Sequence, residues 1–196
     1  MNHRDHFLDI TLPLTGETPV FPGDPPPEFH VSAEDDTTVT VLRFSLHTGT
    51  HMDAPLHVIP RGAPVGGVDR KRLIGPCCVV AAGPGPVTAA TVRVWPLRAR
   101  DRVLARSAGD ARVCFTVEAI TALLALDIRL LGVEGFGPDA MDDPGLPAHR
   151  LLLGHDIPIL ENLNLAGVEP GRYHLTCLGL NCPLSEAVPV RAVLTW

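Results

Sequence analysis

The chain has no basic run, no apolar stretch of bilayer length, no internal repeat and no even set of cysteines. Lysine and arginine number 16 against 22 aspartates and glutamates, a formal net charge of -6, and no basic stripe interleaved with aromatics runs along it. A nucleic-acid partner is therefore not expected. Crossing a bilayer as a helix takes about 20 consecutive apolar residues. None are present, so no membrane partner is expected either. The polar start, Met1-Asn-His-Arg-Asp-His6, has no apolar region behind it and does not resemble a secretory signal. Cys77, Cys78, Cys114, Cys177 and Cys182 are odd in number, two of them adjacent, and Cys177 and Cys182 lack zinc-knuckle spacing. Cys77 and Cys78 read as small buried thiols in a reducing cytoplasm. With 45% hydrophobic residues, and no low-complexity tract or linker, residues 1–196 read as one folded domain.

What is present concentrates in residues 47–57, His-Thr-Gly-Thr-His-Met-Asp-Ala-Pro-Leu-His. Imidazole and carboxylate suit a divalent ion such as zinc or manganese, and His47, His51, Asp53 and His57 fall within this one segment. Gly49 permits a tight backbone path and Pro55 forbids a continued helix. The segment reads as a structured loop leaving a strand at Thr38–Leu46, which alternates and is rich in β-branched residues. Four surface residues in a polar turn would be the bland alternative.

Phe7–Leu12 alternates like a first strand, and the proline-rich stretch Thr18–Pro27 is stiff enough to hold Phe21 against a pocket. Phe21 could equally be a local core plug. Cys77–Ala82, Arg102–Arg106, Arg112–Phe115 and Ile128–Val133 read as strands, as do Tyr173–Leu180 and Val190–Trp196. Thr116 can cap a helix over Val117–Leu126, with Glu118 in its first turn. Residues 146–153 suit a short helix ending at Gly154 with Pro147 in its first turn, and Ile157–Leu160 leads to Glu161. Strands mixed with a few helices indicate an α+β (mixed α/β) fold.

A divalent ion held by two histidines and a carboxylate keeps open positions for water and substrate. Hydrolysis then needs a proton carrier, a task for a histidine near its ordinary pKa of about 6.5. His57 fits it, although it could instead be a further ligand. His149 and Glu161, each unremarkable alone, could hold a second ion that Asp53 bridges.

These residues resemble the metal-dependent cyclase-type hydrolase family, to which the bacterial kynurenine formamidases (arylformamidases) belong. Beyond the 47–57 segment, the similarity runs in order through Asp9–Leu14, Thr18–Asp24, Gly62–Val68, Ile74–Cys77, Leu130–Val133 and Pro189–Leu194. The resemblance implies a swivelling β/β/α domain that forms dimers or larger homo-oligomers. It implies one ion on His47, His51 and Asp53, a second shared with His149 and Glu161, and His57 as proton shuttle. Phe21 stands where the formamidases place a substrate-contacting tryptophan. The implied reaction is hydrolysis of a small molecule, N-formyl-L-kynurenine, to L-kynurenine and formate. Phe21, a short segment between Arg106 and Thr116, and Glu134-Gly-Phe136 depart from the formamidase pattern. They leave open another cyclic amide, a lactone, or a biosynthetic cyclisation or dehydration, and a metal-binding subunit without turnover is a further class.

Overall fold

The structure, a computed structural model, describes residues 6–109 and 112–196. Most of the polar start, residues 1–5, lies outside them, as do Asp110 and Ala111 within the 106–116 segment. The elements in chain order are β1 (Phe7–Asp9), β2 (Glu28–Glu34), β3 (Thr37–Arg43), β4 (His51–Asp53), β5 (Ile74–Ala81), α1 (Ala89–Val94) and β6 (Arg102–Arg106). There follow α2 (Val117–Ala125), β7 (Leu130–Val133), α3 (Pro147–Gly154), β8 (Ile159–Glu161), β9 (Gly171–Gly179) and β10 (Ala187–Thr195).

Eight strands form a mixed sheet in the order β1-β10-β4-β8-β7-β6-β5-β9, and β10 also pairs with β9. That extra pairing closes the sheet into a barrel-like core. Strands β5, β6, β7 and β8 are mutually parallel. Parallel neighbours require crossovers, and α1, α2 and α3 supply the three between them. The fold is mixed α+β. The hairpin β2–β3 stands apart as a two-stranded sheet.

Side-chain alternation divides the core in two. Cys77 and Val79 of β5 turn into the barrel with Met52, Leu104, Leu130 and Leu160, while Cys78 and Val80 pack outward with Ile120, Leu123 and Leu152 of the helices. Thr116 caps α2 by accepting from Ala119 N–H, with Glu118 in the first turn. Helix α3 begins at Pro147, but its cap position is Leu146, with φ of 47° and no capping side chain. Asp139 supplies the missing acceptor from a distance, taking Ala148 N–H at 2.7 Å and His149 N–H at 3.0 Å.

Three expectations need correction. Arg112–Phe115 is not a strand: Phe115 N–H donates to Pro138 O and Thr116 N–H to Val87 O, so only a single bridge to Val87 forms. The 47–57 segment is not loop throughout. His51–Asp53 form β4, buried between β10 and β8, because Met52 fills the barrel interior and alternation turns His51 and Asp53 to the opposite face. The preceding strand ends at Arg43 rather than Leu46. Helix α1 was not expected, since Ala89-Ala-Thr-Val-Arg-Val94 is short and rich in β-branched residues. A reciprocal cap between Thr88 and Thr91 holds it.

Candidate metal centre

The centre assembles on β4 and β8, which pair with His51 opposite Glu161. Thr50 fixes the approach to β4: its hydroxyl donates to Asn162 O at 2.6 Å and accepts from Leu12 N–H at 2.8 Å. Gly49, at φ of 65°, makes the turn behind it, and His51 Nδ1 lies 2.9 Å from the Gly49 carbonyl. That nitrogen is therefore the donor, and Nε2 faces inward. His149 arrives on α3 in the same manner, with Nδ1 2.6 Å from Asp139 Oδ2 and Nε2 2.9 Å from Glu161 Oε1.

Asp53 sits at the middle, fully buried. His47 Nδ1 lies 3.2 Å and His51 Nε2 3.5 Å from its Oδ1, and His149 Nε2 lies 3.7 Å from Oδ2. His51 Nε2 is also 3.4 Å from Glu161 Oε2. His57, in a short 3-10 turn at Pro55–His57, places its ring centroid 4.5 Å from that of His47 and 5.8 Å from that of His149. Phe21 and Phe136 pack edge-to-face at 6.0 Å. With His47, His57, His149, Glu161 and Leu146 they line a cavity of about 230 Å³.

The sequence pattern of the putative cyclase family matches residues 8–140. The chain belongs to that family. It is 35% identical to the kynurenine formamidase of Paracidovorax citrulli (strain AAC00-1), covering 95% of this chain and 94% of that protein. A structure described as a predicted metal-dependent hydrolase from Bacillus stearothermophilus superposes with a TM-score of 0.84 at 26% identity, covering 96% of this chain and 97% of the other. An isatin hydrolase bound to the product analogue thioisatinate shares the fold, with a TM-score of 0.82 at 24% identity and coverage of 97% and 92%.

The residues of this putative cyclase family member suit a divalent ion on one internal observation. Both oxygens of the buried Asp53 carboxylate lack a hydrogen bond among the described residues, although three imidazole nitrogens stand 3.2, 3.5 and 3.7 Å from them. Leaving such a group unsatisfied is costly, and a buried carboxylate ringed by imidazole nitrogens is arranged for a cation placed among them. His47, Asp53 and His57 form one set of ligand atoms within 4.8 Å of one another, and His51, Asp53 and Glu161 form another. The Nδ1 contacts of His51 with Gly49 O and of His149 with Asp139 are of the kind that orients imidazoles in metal sites.

Charge in the metal-free protein follows from these contacts. Burial works against a charged His51, but Asp53 and Glu161 outweigh it and raise its pKa to about 9. For His149, Asp139, Asp53 and Glu161 overcome burial and raise the pKa to about 11. Burial also opposes charge on Asp53, yet the histidines hold its carboxyl well below the usual range. His57 moves the other way: burial, reinforced by His47 and His149, pushes its pKa below 6.5. Folded pKa values raised above the unfolded 6.5 give His51 and His149 a stabilising contribution that is complete below pH 6.5 and is lost as pH rises through about 9 and then about 11. Thermal melts of metal-free protein are expected to show Tm falling from pH 6.5 to about 9, and an unchanged Tm would contradict this charge assignment.

The residues picked out in the sequence, His47, His51, Asp53, His57, His149 and Glu161, converge, and Phe21 lines their cavity. Asp139 and Glu186 were missed, and Phe136 stood out only as a departure from the formamidase pattern; Glu186 Oε1 lies 3.5 Å from His47 Nε2. A carboxylate ahead of a proline-started helix with no capping residue was the available signal for Asp139. The Glu134–Phe136 departure divides in two. Phe136 faces the cavity, whereas Glu134 is a brace that accepts from Ser107 N–H, Ser107 Oγ–H and Leu165 N–H.

Gly137 closes the centre from above. Its φ is 106°, and a Cβ there would stand 2.6 Å from Glu161 Oε1 and 2.7 Å from His149 Cε1. Gly137→Ala is expected to reduce metal affinity about 10–100-fold, as other disturbances of the shell around a metal do, while near-UV circular dichroism of the barrel persists. Metal titration of the purified variant checks it.

Proposed function

We propose that this chain hydrolyses N-formyl-L-kynurenine to L-kynurenine and formate. It is a metal-dependent hydrolase of C–N amide bonds acting on a small molecule. The observation carrying the reading is the buried Asp53 carboxylate, unbonded at both oxygens and ringed by imidazoles, of which His47 and His149 line an aromatic-walled cavity.

His47, His51 and Asp53 would hold one ion, zinc or manganese, and Asp53, His149 and Glu161 would hold a second. Such an ion, when bound, supplies Lewis acidity that polarises a carbonyl and makes water more acidic. The remaining work falls to side chains. Phe21 and Phe136 hold the aryl ring edge and face, which aims the formyl group at the cavity floor. His57, at the cavity wall beside His47, takes a proton from the attacking water and returns it to the departing aniline nitrogen. Asp139 fixes the His149 ring and Glu186 steadies His47. Leu146 narrows the cavity against water.

Residues 1–196 act as one unit, supported by the pairing of β1 with β10 at the two ends of the chain. Homo-oligomerisation is supported by the β2–β3 hairpin. Phe29, Val31, Val39, Val41 and Leu42 are all exposed on it, and a lone hairpin is at best marginally stable, so a second copy covers it. Five free cysteines fit a reducing cytoplasm, and no helix among the described residues is long and apolar enough to cross a membrane.

A substrate panel tests the reading. Formate release should favour N-formyl-L-kynurenine over an N-formylated aliphatic amine by about 100-fold in kcat/KM, the contribution of an aryl ring in a fitted pocket. Faster opening of a cyclic amide or lactone would reassign the substrate.

A further inference from the structure

Seven of the chain's sixteen lysines and arginines line a single cavity of about 630 Å³, far from the aromatic pocket. Arg102 is the first residue of β6 and Arg129 immediately precedes β7, so the cavity opens at the amino-terminal ends of the parallel strands. Glu161 of the metal centre is the last residue of β8, which runs parallel to β7. The two sites therefore occupy opposite ends of the sheet, roughly 13 Å apart for a strand of this length.

The two aspartates of the cavity are already engaged. Asp101 accepts from Arg172 at 2.5 and 2.7 Å and from Arg98 N–H at 2.7 Å, and Asp69 accepts from Lys71 N–H. Arg102 is only 5% exposed. Its guanidinium donates to the Arg72 carbonyl at 2.6 Å, to the Pro76 carbonyl at 3.2 Å and to the Lys71 carbonyl. Among the described residues, the ion pairs at the cavity are Arg172–Asp101 and the partly exposed Arg129–Asp127. The buried charge of Arg102 thus has no carboxylate partner. The arrangement is built rather than incidental, because any side chain at Gly75 would come within 2.6 Å of the Arg102 guanidinium.

Gathering like charges around one cavity carries a repulsive cost, and a chain of net charge -6 gains nothing general from it. We propose that this cavity binds a compact polyanion bearing two or more phosphate or carboxylate groups. Six of the seven cations are arginines, whose planar forks match both oxyanions bidentately. A single carboxylate would leave most of the charge uncompensated. No aromatic side chain lines the cavity, so there is no platform for an aryl ring, and the ligand differs in class from the substrate proposed for the metal centre.

Calorimetric titration of the metal-loaded chain with tripolyphosphate, citrate and acetate at matched ionic strength tests this. Tripolyphosphate or citrate is expected to bind at least about tenfold more tightly than acetate, and whichever wins identifies phosphate or carboxylate as the recognised group. In an Arg98→Glu/Arg100→Glu variant, changed at two exposed positions of the rim, that binding should weaken about tenfold or more, with metal content and amide hydrolysis unchanged. Equal binding in the variant would place the anion at the metal centre and overturn the proposal, as would polyanion binding no tighter than acetate. A fall in oligomeric mass in the variant would overturn it too, by making the cavity an interface between copies.

Discussion

Asp53→Asn is expected to strip the protein of bound metal and to lower formate release at least about a thousandfold, a loss typical of removing metal-ion catalysis. The carboxylate is fully buried, with His47, His51 and His149 around it. An amide keeps its shape but removes its charge, so a divalent ion would lose the anionic centre shared by both ligand groups. The metal-free fold also suffers. His51 and His149 hold raised pKa values partly because Asp53 is there, and breaking a buried charge pair costs about 3–5 kcal/mol. Elemental analysis and a denaturant melt read both effects. Full metal content in the variant would remove Asp53 from the ligand set.

His57→Ala is expected to separate binding from chemistry. Removing a general acid–base group costs about 10²–10⁴ in rate, and the loss should appear in kcat, with metal content held near wild type. His57 lines the cavity and faces His47 and His149, but it also belongs to one of the ligand groupings. Metal analysis of the variant therefore decides between the two roles. Parallel loss of metal and activity would make His57 a ligand and leave the proton carrier to be found elsewhere.

Much of the centre was legible because its chemistry is written in one segment. Four ionisable residues within 47–57 have no common structural purpose, and Gly49 and Pro55 mark a special backbone path. Their placement on a strand was less legible, since three residues are too few to show a period. Pairing with β10 and β8, with Met52 buried in the barrel interior, makes β4 a strand. Asp139 was hidden because its partners are nine and ten residues away across a proline turn, so its role depends on where α3 docks. Phe136 was noticed as a departure but not as a wall, because its contact with Phe21 spans most of the chain. The barrel closure was equally out of reach. Nothing local in Gly171–Gly179 or Ala187–Thr195 indicates that β10 pairs with β4, β9 and β1 at once.

The most direct test is formate release from N-formyl-L-kynurenine by protein stripped of metal and then titrated with zinc or manganese. The account predicts no turnover in stripped protein, and activity that rises with bound metal and saturates at about two ions per chain, as the proposed paired-ion arrangement requires. Turnover that persists without metal, or metal bound in full with no formate released, would contradict it.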